Sequence, residues 1–265
     1  MNAIASKKWV DTHFHVFEAG VGVAGARYVP HYSARMSDWI DEAQKVGIHH
    51  GVCVQPSFLG ADNSLMLRAL ADHPDLLRGI AVVAPNVQAE VLHAMHRAGV
   101  RGLRLNLAGI SHDIPEWTQA EHLWQFMHSF DWHVELHTDQ GRLPDVLTQL
   151  PSDIALVVDH MAKPLEVSAA DLSLQALVQR AKLSAVHVKL SGAYRLNGLS
   201  ADQLANLLCQ ELGPEAMLWG SDWPCTRHEQ FADFEQLMAQ AHRWLGDVCL
   251  ERVLHDNPLK LYWHQ

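Results

Sequence analysis

Several things are scarce in this chain of 265 residues, and each scarcity excludes something. No apolar run approaches the roughly 20 residues that a spanning helix needs, and the start, MNAIASKKWVDTHFHVF, has no apolar core after its lysines. A membrane span and a secretory leader are therefore not expected, and a cytoplasmic protein is. Cysteine is sparse: Cys53, Cys209, Cys225 and Cys249 form no CxxC pair, so neither a zinc knuckle nor a disulfide scaffold is indicated. Lys and Arg total 20 against 30 Asp and Glu, a formal charge of -10, and nothing clusters the basic residues as phosphate binding requires. Nucleic acid and anionic membrane are thus excluded as expected partners. Neither GxGxxG nor GxxxxGK[ST] occurs, which argues against a doubly wound nucleotide-binding sheet. No low-complexity tract or Pro/Gly/Ser linker divides the chain, so residues 1–265 are read as one domain.

What is present is a repeat of short β-branched runs separated by amphipathic stretches. The runs are WVDTHF, HHGVCVQ, RGIAVVAP, VRGLRLN, HVELHT, IALVVDH, VHVKLSG and AMLWGSD. Between them, segments such as SLMLRALADH, AEVLHAMHRAG, ADQLANLLCQEL and FEQLMAQAHRWL carry apolar residues at helical spacing. Glycine ends helices in KVGIHH and RAGVRG. Eight βα units predict an α/β fold, a single-domain TIM (β/α)8 barrel whose chemistry sits at the C-terminal ends of its strands. The last stretch, ERVLHDNPLKLYW, reads as a short helix, a turn at Asn257-Pro258 and an aromatic tail.

Of 19 histidines, those at the ends of apolar runs carry information. His13 and His15 close the first run two residues apart, so strand alternation points both imidazoles to one side. His137 closes the fifth run and His160 the sixth. Asp222 ends the eighth, in GSDWP, where a carboxylate has few structural reasons to be buried; a helix N-cap is the alternative reading of that aspartate. Closure of a barrel brings strand one beside strand eight, and this constellation suits a divalent ion such as zinc. Alternatively Asp222 acts unaided as general base while histidines or arginines hold a polarised carbonyl. Both schemes are hydrolytic, and the residues leave both open.

The blocks VDTHFHVF, YVP, CVQPSFLGADN, GVRGLRLN, VDHMAKP, KLSGAYR, WGSDWP and HDNPLKLY, in that order, resemble the amidohydrolase-related branch of the amidohydrolase superfamily over essentially the whole length. Within it the similarity is to the lactonases of the 2-pyrone-4,6-dicarboxylate type, which implies a role in aromatic compound catabolism. The resemblance implies a hydrolase opening a small anionic lactone. It assigns Asp222 to water activation, His13, His15 and His160 to the lactone carbonyl, and Arg104, Arg195, Tyr28 and Ser57 to a substrate carboxylate.

Two departures matter. The dicarboxylate enzymes carry a further arginine after strand four, where this chain reads LAGISHDIP, and His112 is the weak candidate for its place. The metal-independent lactonases lack a histidine at the end of strand five, whereas metal-dependent decarboxylases and zinc-using lactonases use it. His13, His15, His137 and Asp222 would then form a mononuclear site, and decarboxylation of an aromatic or unsaturated acid becomes the alternative reaction. A non-catalytic binding barrel is the third reading, and self-association is expected of barrels of this kind. Glu135, two residues before His137 and sharing its facing, is expected to be structural, with a supporting or ligating role as the alternative, and Lys189 is expected to be a buried ion-pair partner. Cys225 has no histidine base to make it a nucleophile, and Trp117, Trp132 and Trp219 are expected to fill core.

Overall fold

The computed structural model describes residues 8–263; the expectation for the first residues of the chain lies outside that range. Eight strands alternate with helices: β1 (Trp9–Phe14), α1 (Met36–Lys45), β2 (Ile48–Val54), α2 (Ser64–Asp72), β3 (Leu77–Ala81), α3 (Ala89–Arg97), β4 (Val100–Asn106), α4 (Pro115–Thr118), α5 (Glu121–Ser129), β5 (His133–His137), α6 (Leu143–Leu147), β6 (Leu156–Val158), α7 (Leu172–Arg180), β7 (Val186–Leu190), α8 (Ala201–Leu212), β8 (Met217–Trp219), α9 (Phe234–Glu251) and α10 (Asn257–Tyr262). The strands are parallel and lie in sequence order. Both faces of such a sheet are covered, which is why the strands read as near-continuous apolar runs. Helix starts follow local chemistry: Asp171, Ser200 and Asp233 accept from the first-turn amides of α7, α8 and α9.

The ring closes through chain just beyond β8. The Asp222 amide donates to the His13 carbonyl (2.8 Å), the His15 amide to the Trp223 carbonyl (2.9 Å), and Phe14 pairs in parallel with Trp223. Side chains lock the seam. The Asp11 carboxylate accepts from the Ser221 hydroxyl (2.6 Å), the Ser221 amide (2.9 Å), the His13 amide (3.1 Å) and the Trp39 indole (2.9 Å). Gly220 lets the two strand ends approach, because a Cβ there would stand 2.6 Å from the His13 Cβ and 3.1 Å from its backbone nitrogen.

The C-terminal segment departs from expectation. No turn breaks it at Asn257-Pro258; a π-type turn over Arg252–Asp256 runs directly into α10. Proline is tolerated there because the π-type turn just before it, where the Asn257 backbone amide bonds the Arg252 carbonyl, interrupts the regular i→i−4 ladder that its missing N–H would otherwise break. The Asn257 amide donates to the carbonyls of Pro214 and Met217, tying α10 beneath β8. Tyr262 then plugs the barrel floor among Val52, Val54, Ile80, Val157 and Leu218. Trp117, Trp132 and Trp219 are core residues, as expected.

Candidate active site

Strained backbone delivers two of the key side chains. After β6, His160, Met161, Ala162 and Lys163 all take left-handed φ values of 51, 55, 60 and 44°, and after β8 Asp222 does so at 57°. Each such residue without a glycine costs about 1–2 kcal/mol, so the surrounding bonds must hold the turns in place. The Lys163 carbonyl accepts from the Gly141 amide (2.9 Å), and His160 Nδ1 meets the Ser191 hydroxyl (3.0 Å). Gly192 makes room for that imidazole, since a Cβ would lie 2.7 Å from its Nδ1.

His13, His15 and Asp222 converge. His13 Nε2 and His15 Nε2 are 3.3 Å apart, and Asp222 Oδ1 is 3.6 Å from the first and 3.5 Å from the second. A tetrahedral zinc with nitrogen ligands near 2.0–2.1 Å has donor-to-donor edges of roughly 3.3–3.4 Å, so the spacing fits. The lone pairs fit as well. His15 Nδ1 donates to the Val54 carbonyl (2.7 Å), which leaves its Nε2 without a proton; His13 Nδ1 lies 3.1 Å from both the Asp159 carboxylate and Lys189 Nζ, and where it donates to Asp159 its Nε2 is bare as well. With His13 in that tautomer, two lone pairs and a carboxylate oxygen converge, an arrangement that a cation or a shared proton would satisfy. These three residues could therefore hold a divalent metal. His160 stands off at 4.0 Å from Asp222 Oδ2. His137 does not join the three donors; its Nε2 faces the Lys163 ammonium at 3.4 Å.

Asp222 is no helix cap, a role that Asp233 fills for α9. Its second oxygen accepts from the Tyr194 hydroxyl (2.5 Å) and Arg195 Nε (2.8 Å). Burial alone would push its carboxyl up, but Arg195, His160 and the β1 histidines outweigh that and hold it well below the usual carboxylate range. Burial lowers His13 and His137 far below the ordinary imidazole value and His160 to about 3, so these rings are neutral bases at pH 7.

Beneath the site lies a buried layer of ionisable groups. Lys189 is paired with Glu135, as expected, and its Nζ also reaches His13 Nδ1 (3.1 Å). Arg104 binds Asp159 (3.0 Å) and the Gln55 carbonyl (3.2 Å). Burial raises Asp159, yet His13, Arg104 and Lys189 bring it well below its usual value; Glu135 is raised by burial and by Asp159.

Above it opens a cavity of about 400 Å³ whose wall includes His15, Tyr28, Ser57, Arg104, His137, His160, Arg195 and Asp222. All four residues expected at a substrate carboxylate reach it, though Arg104 and Arg195 already engage carboxylates of the protein. His112 does not line it: its ring accepts from the Asp139 amide (3.0 Å), a loop-holding role, so the weak candidate for the missing arginine is set aside. Cys225 is buried with its thiol pushed up to about 12, the reverse of a nucleophile. Sequence reasoning missed Tyr194, Asp159, Lys163, Arg27 and Arg227. The first three adjoin recognised motifs, in GAYR, VDH and HMAKP, and that adjacency was the available signal.

The sequence pattern of the family described as Amidohydrolase matches residues 10–263. The chain belongs to that family. Among curated relatives, 4-sulfomuconolactone hydrolase of Rhizobium radiobacter is 29% identical over 98% of this chain and 91% of its own length. The 2-pyrone-4,6-dicarboxylate hydrolase of Comamonas testosteroni is 27% identical over 96% and 90%. Among solved structures, a Pseudomonas putida protein provisionally described as a 2-pyrone-4,6-dicarboxylic acid hydrolase is 34% identical, with a TM-score of 0.84 over 97% of this chain and 98% of that one. An Acinetobacter baumannii protein given the same provisional description, with citric acid bound, is 32% identical, with a TM-score of 0.81 over 97% and 99%.

Proposed function

We propose that this amidohydrolase opens a small lactone carrying acid groups by attack of water at the ring carbonyl. One observation carries the reading: Asp222 and the imidazoles of His13 and His15 meet at the floor of a cavity whose wall holds five cationic side chains, Arg27, Arg104, Lys163, Arg195 and Arg227, against two acids, Asp139 and Asp222. In a chain of net charge -10, that local excess of positive charge selects an anion. Relatives named as lactone hydrolases, and one that holds citric acid, support the same class of ligand.

In this reading Asp222 takes the proton of the attacking water. Arg195, bonded to Asp222 only through Nε, has its remaining donors to orient a substrate carboxylate, and Tyr28 and Ser57 share that task. His160, neutral and facing the cavity, lies where it can donate to the oxygen that gains charge. His13 and His15 either bind that oxygen or, with Asp222, hold a divalent ion, most simply zinc. Such an ion would supply carbonyl polarisation and a more acidic water. His137, the feature that pointed to decarboxylation, lies outside the donor triangle, so that alternative has no geometric support of its own.

Proton release on a panel of pyrone, muconolactone and sugar-acid lactones tests the proposal. Asp222→Asn should lower kcat by about 10²–10⁴-fold with the fold retained. Full activity in that variant would end the reading. Treatment with a chelator, then readdition of zinc, tells the metal scheme from the metal-free one.

A further inference from the structure

The two oxygens of the Asp222 carboxylate are held unequally. Oδ1 faces His13 Nε2 at 3.6 Å and His15 Nε2 at 3.5 Å, whereas the Tyr194 hydroxyl (2.5 Å) and Arg195 Nε (2.8 Å) both donate to Oδ2. The backbone alone does not impose that division, because the last torsion of an aspartate is broad and roughly two-fold. The donors on Oδ2 therefore decide where Oδ1 points. Arg195 is the weaker anchor of the two. Its side chain is 22% exposed, and in the proposed reaction its remaining donors answer to the substrate.

Tyr194 is braced for a single task. Its ring lies parallel to Phe231, at 4° with centroids 5.1 Å apart, beside the His228 ring at 4.8 Å and under the Arg195 guanidinium at 5.0 Å. The phenolic oxygen lies on the axis about which the ring turns, so clamping the ring fixes the oxygen. The stack joins two loops. Tyr194 sits in the short turn Ala193–Arg195 after β7, and Phe231 ends the turn Glu229–Phe231 beyond β8. Glu229 pins that second turn by accepting from the Tyr32 hydroxyl (2.8 Å) and the Arg227 amide (2.9 Å).

We infer that Tyr194, braced by Phe231, is a positioning residue for Asp222: its hydroxyl occupies Oδ2 and so turns Oδ1 towards the point where water is deprotonated. The inference deepens the lactonase reading, on which it rests for the reaction. Arg195 is then free to move with the substrate without carrying the base along. The carboxylate keeps its aim because the second bond on Oδ2 comes from a ring that the chain clamps from both loops.

Tyr194→Phe keeps the ring and its stack and removes only the hydroxyl. On a lactone that the protein opens, kcat should fall roughly 10–100-fold while KM stays within about twofold. A raised KM with kcat unchanged would make Tyr194 a substrate contact and overturn the inference. So would a lower melting temperature with kcat per folded molecule unchanged, which is the mark of a merely structural tyrosine. Should Tyr194→Phe fail to fold, Phe231→Leu is read in the same way. A kcat lowered about threefold or more at steady KM supports the positioning role, and an unchanged kcat refutes it. If the unsubstituted protein opens no lactone, the reaction falls, and crystal structures of the two proteins still decide the positioning. An Asp222 carboxylate turned about its last torsion in Tyr194→Phe supports it; one left in place by Arg195 alone refutes it. Lactone opening that is indifferent to Tyr194 would sink the positioning and leave the reaction standing.

Discussion

At the scale of single residues, the most consequential placement is that of Arg104. The GLRLN block suggested a guanidinium waiting for substrate, but the side chain is 3% exposed and bound to Asp159 and the Gln55 carbonyl, with Glu135 3.7 Å from its Nε. Removing one partner from a buried ion network is worse than removing all of them, because the charges left behind have lost their solvent and gained nothing. Arg104→Met should therefore cost about 3–5 kcal/mol of stability, read as a lower urea midpoint at pH 7.5. A purely substrate-binding Arg104 predicts the opposite split, with KM raised and the midpoint unmoved. Sequence could not separate these outcomes, because the partners of Arg104 come from β5 and the end of β6, 31 and 55 residues further along the chain.

Secondary-structure elements show why the seam between β1 and β8 is the sensitive one. Seven strand pairs run ladder to ladder, whereas β8 spans only Met217–Trp219 and the ring is completed by the irregular segment after it. Gly220 sits in that segment without a positive φ, so its reason is space alone. Gly220→Ala forces a methyl group against the backbone of His13, which cannot rotate away. Overpacking of this kind costs about 1–3 kcal/mol, and it would also spread the two β1 imidazoles from Asp222. The expected result is a lower melting temperature together with a loss of kcat larger than stability alone accounts for; unaltered activity would mean that the seam is looser than described.

The same seam marks the boundary of what was legible. Val100–Asn106 and Ala201–Leu212 match their periodic runs end to end, because apolar spacing is a local property. The runs IALVVDH and AMLWGSD overshoot β6 and β8 by several residues, because their last positions leave the ladder to form left-handed turns. Those overshoots are the site. His160 and Asp222 were found by their position after an apolar run, while Asp11, Tyr194 and Lys163 act through partners that only closure supplies.

Across the whole molecule, the dominant electrostatic fact is a set of imidazoles kept neutral by burial. His13, His133 and His137 are pushed well below the usual histidine range, His187 to about 4 and His160 to about 3, all chiefly by loss of solvent. Their folded values lie below the unfolded value of 6.5, so between the two the unfolded chain binds protons that the folded one refuses. Stability from these groups is complete above pH 6.5 and drains away as pH falls towards 4. His187 alone contributes on the order of 3 kcal/mol at about 1.4 kcal/mol per pKa unit. Glu135 and Asp11, raised by burial, work the other way, but two carboxyls oppose five rings. Asp159 and Asp222 are held so low that their contributions persist until pH falls beneath the ordinary carboxylate range. Urea midpoints measured at pH 7.5, 6.0 and 5.0, with chelator present so that metal loss does not add to the slope, should therefore fall steeply, and most of the loss should precede carboxylate titration. A flat profile down to pH 5 would mean that the buried rings already carry their protons in the native state. The bare lone pairs on which the donor triangle depends would then not exist.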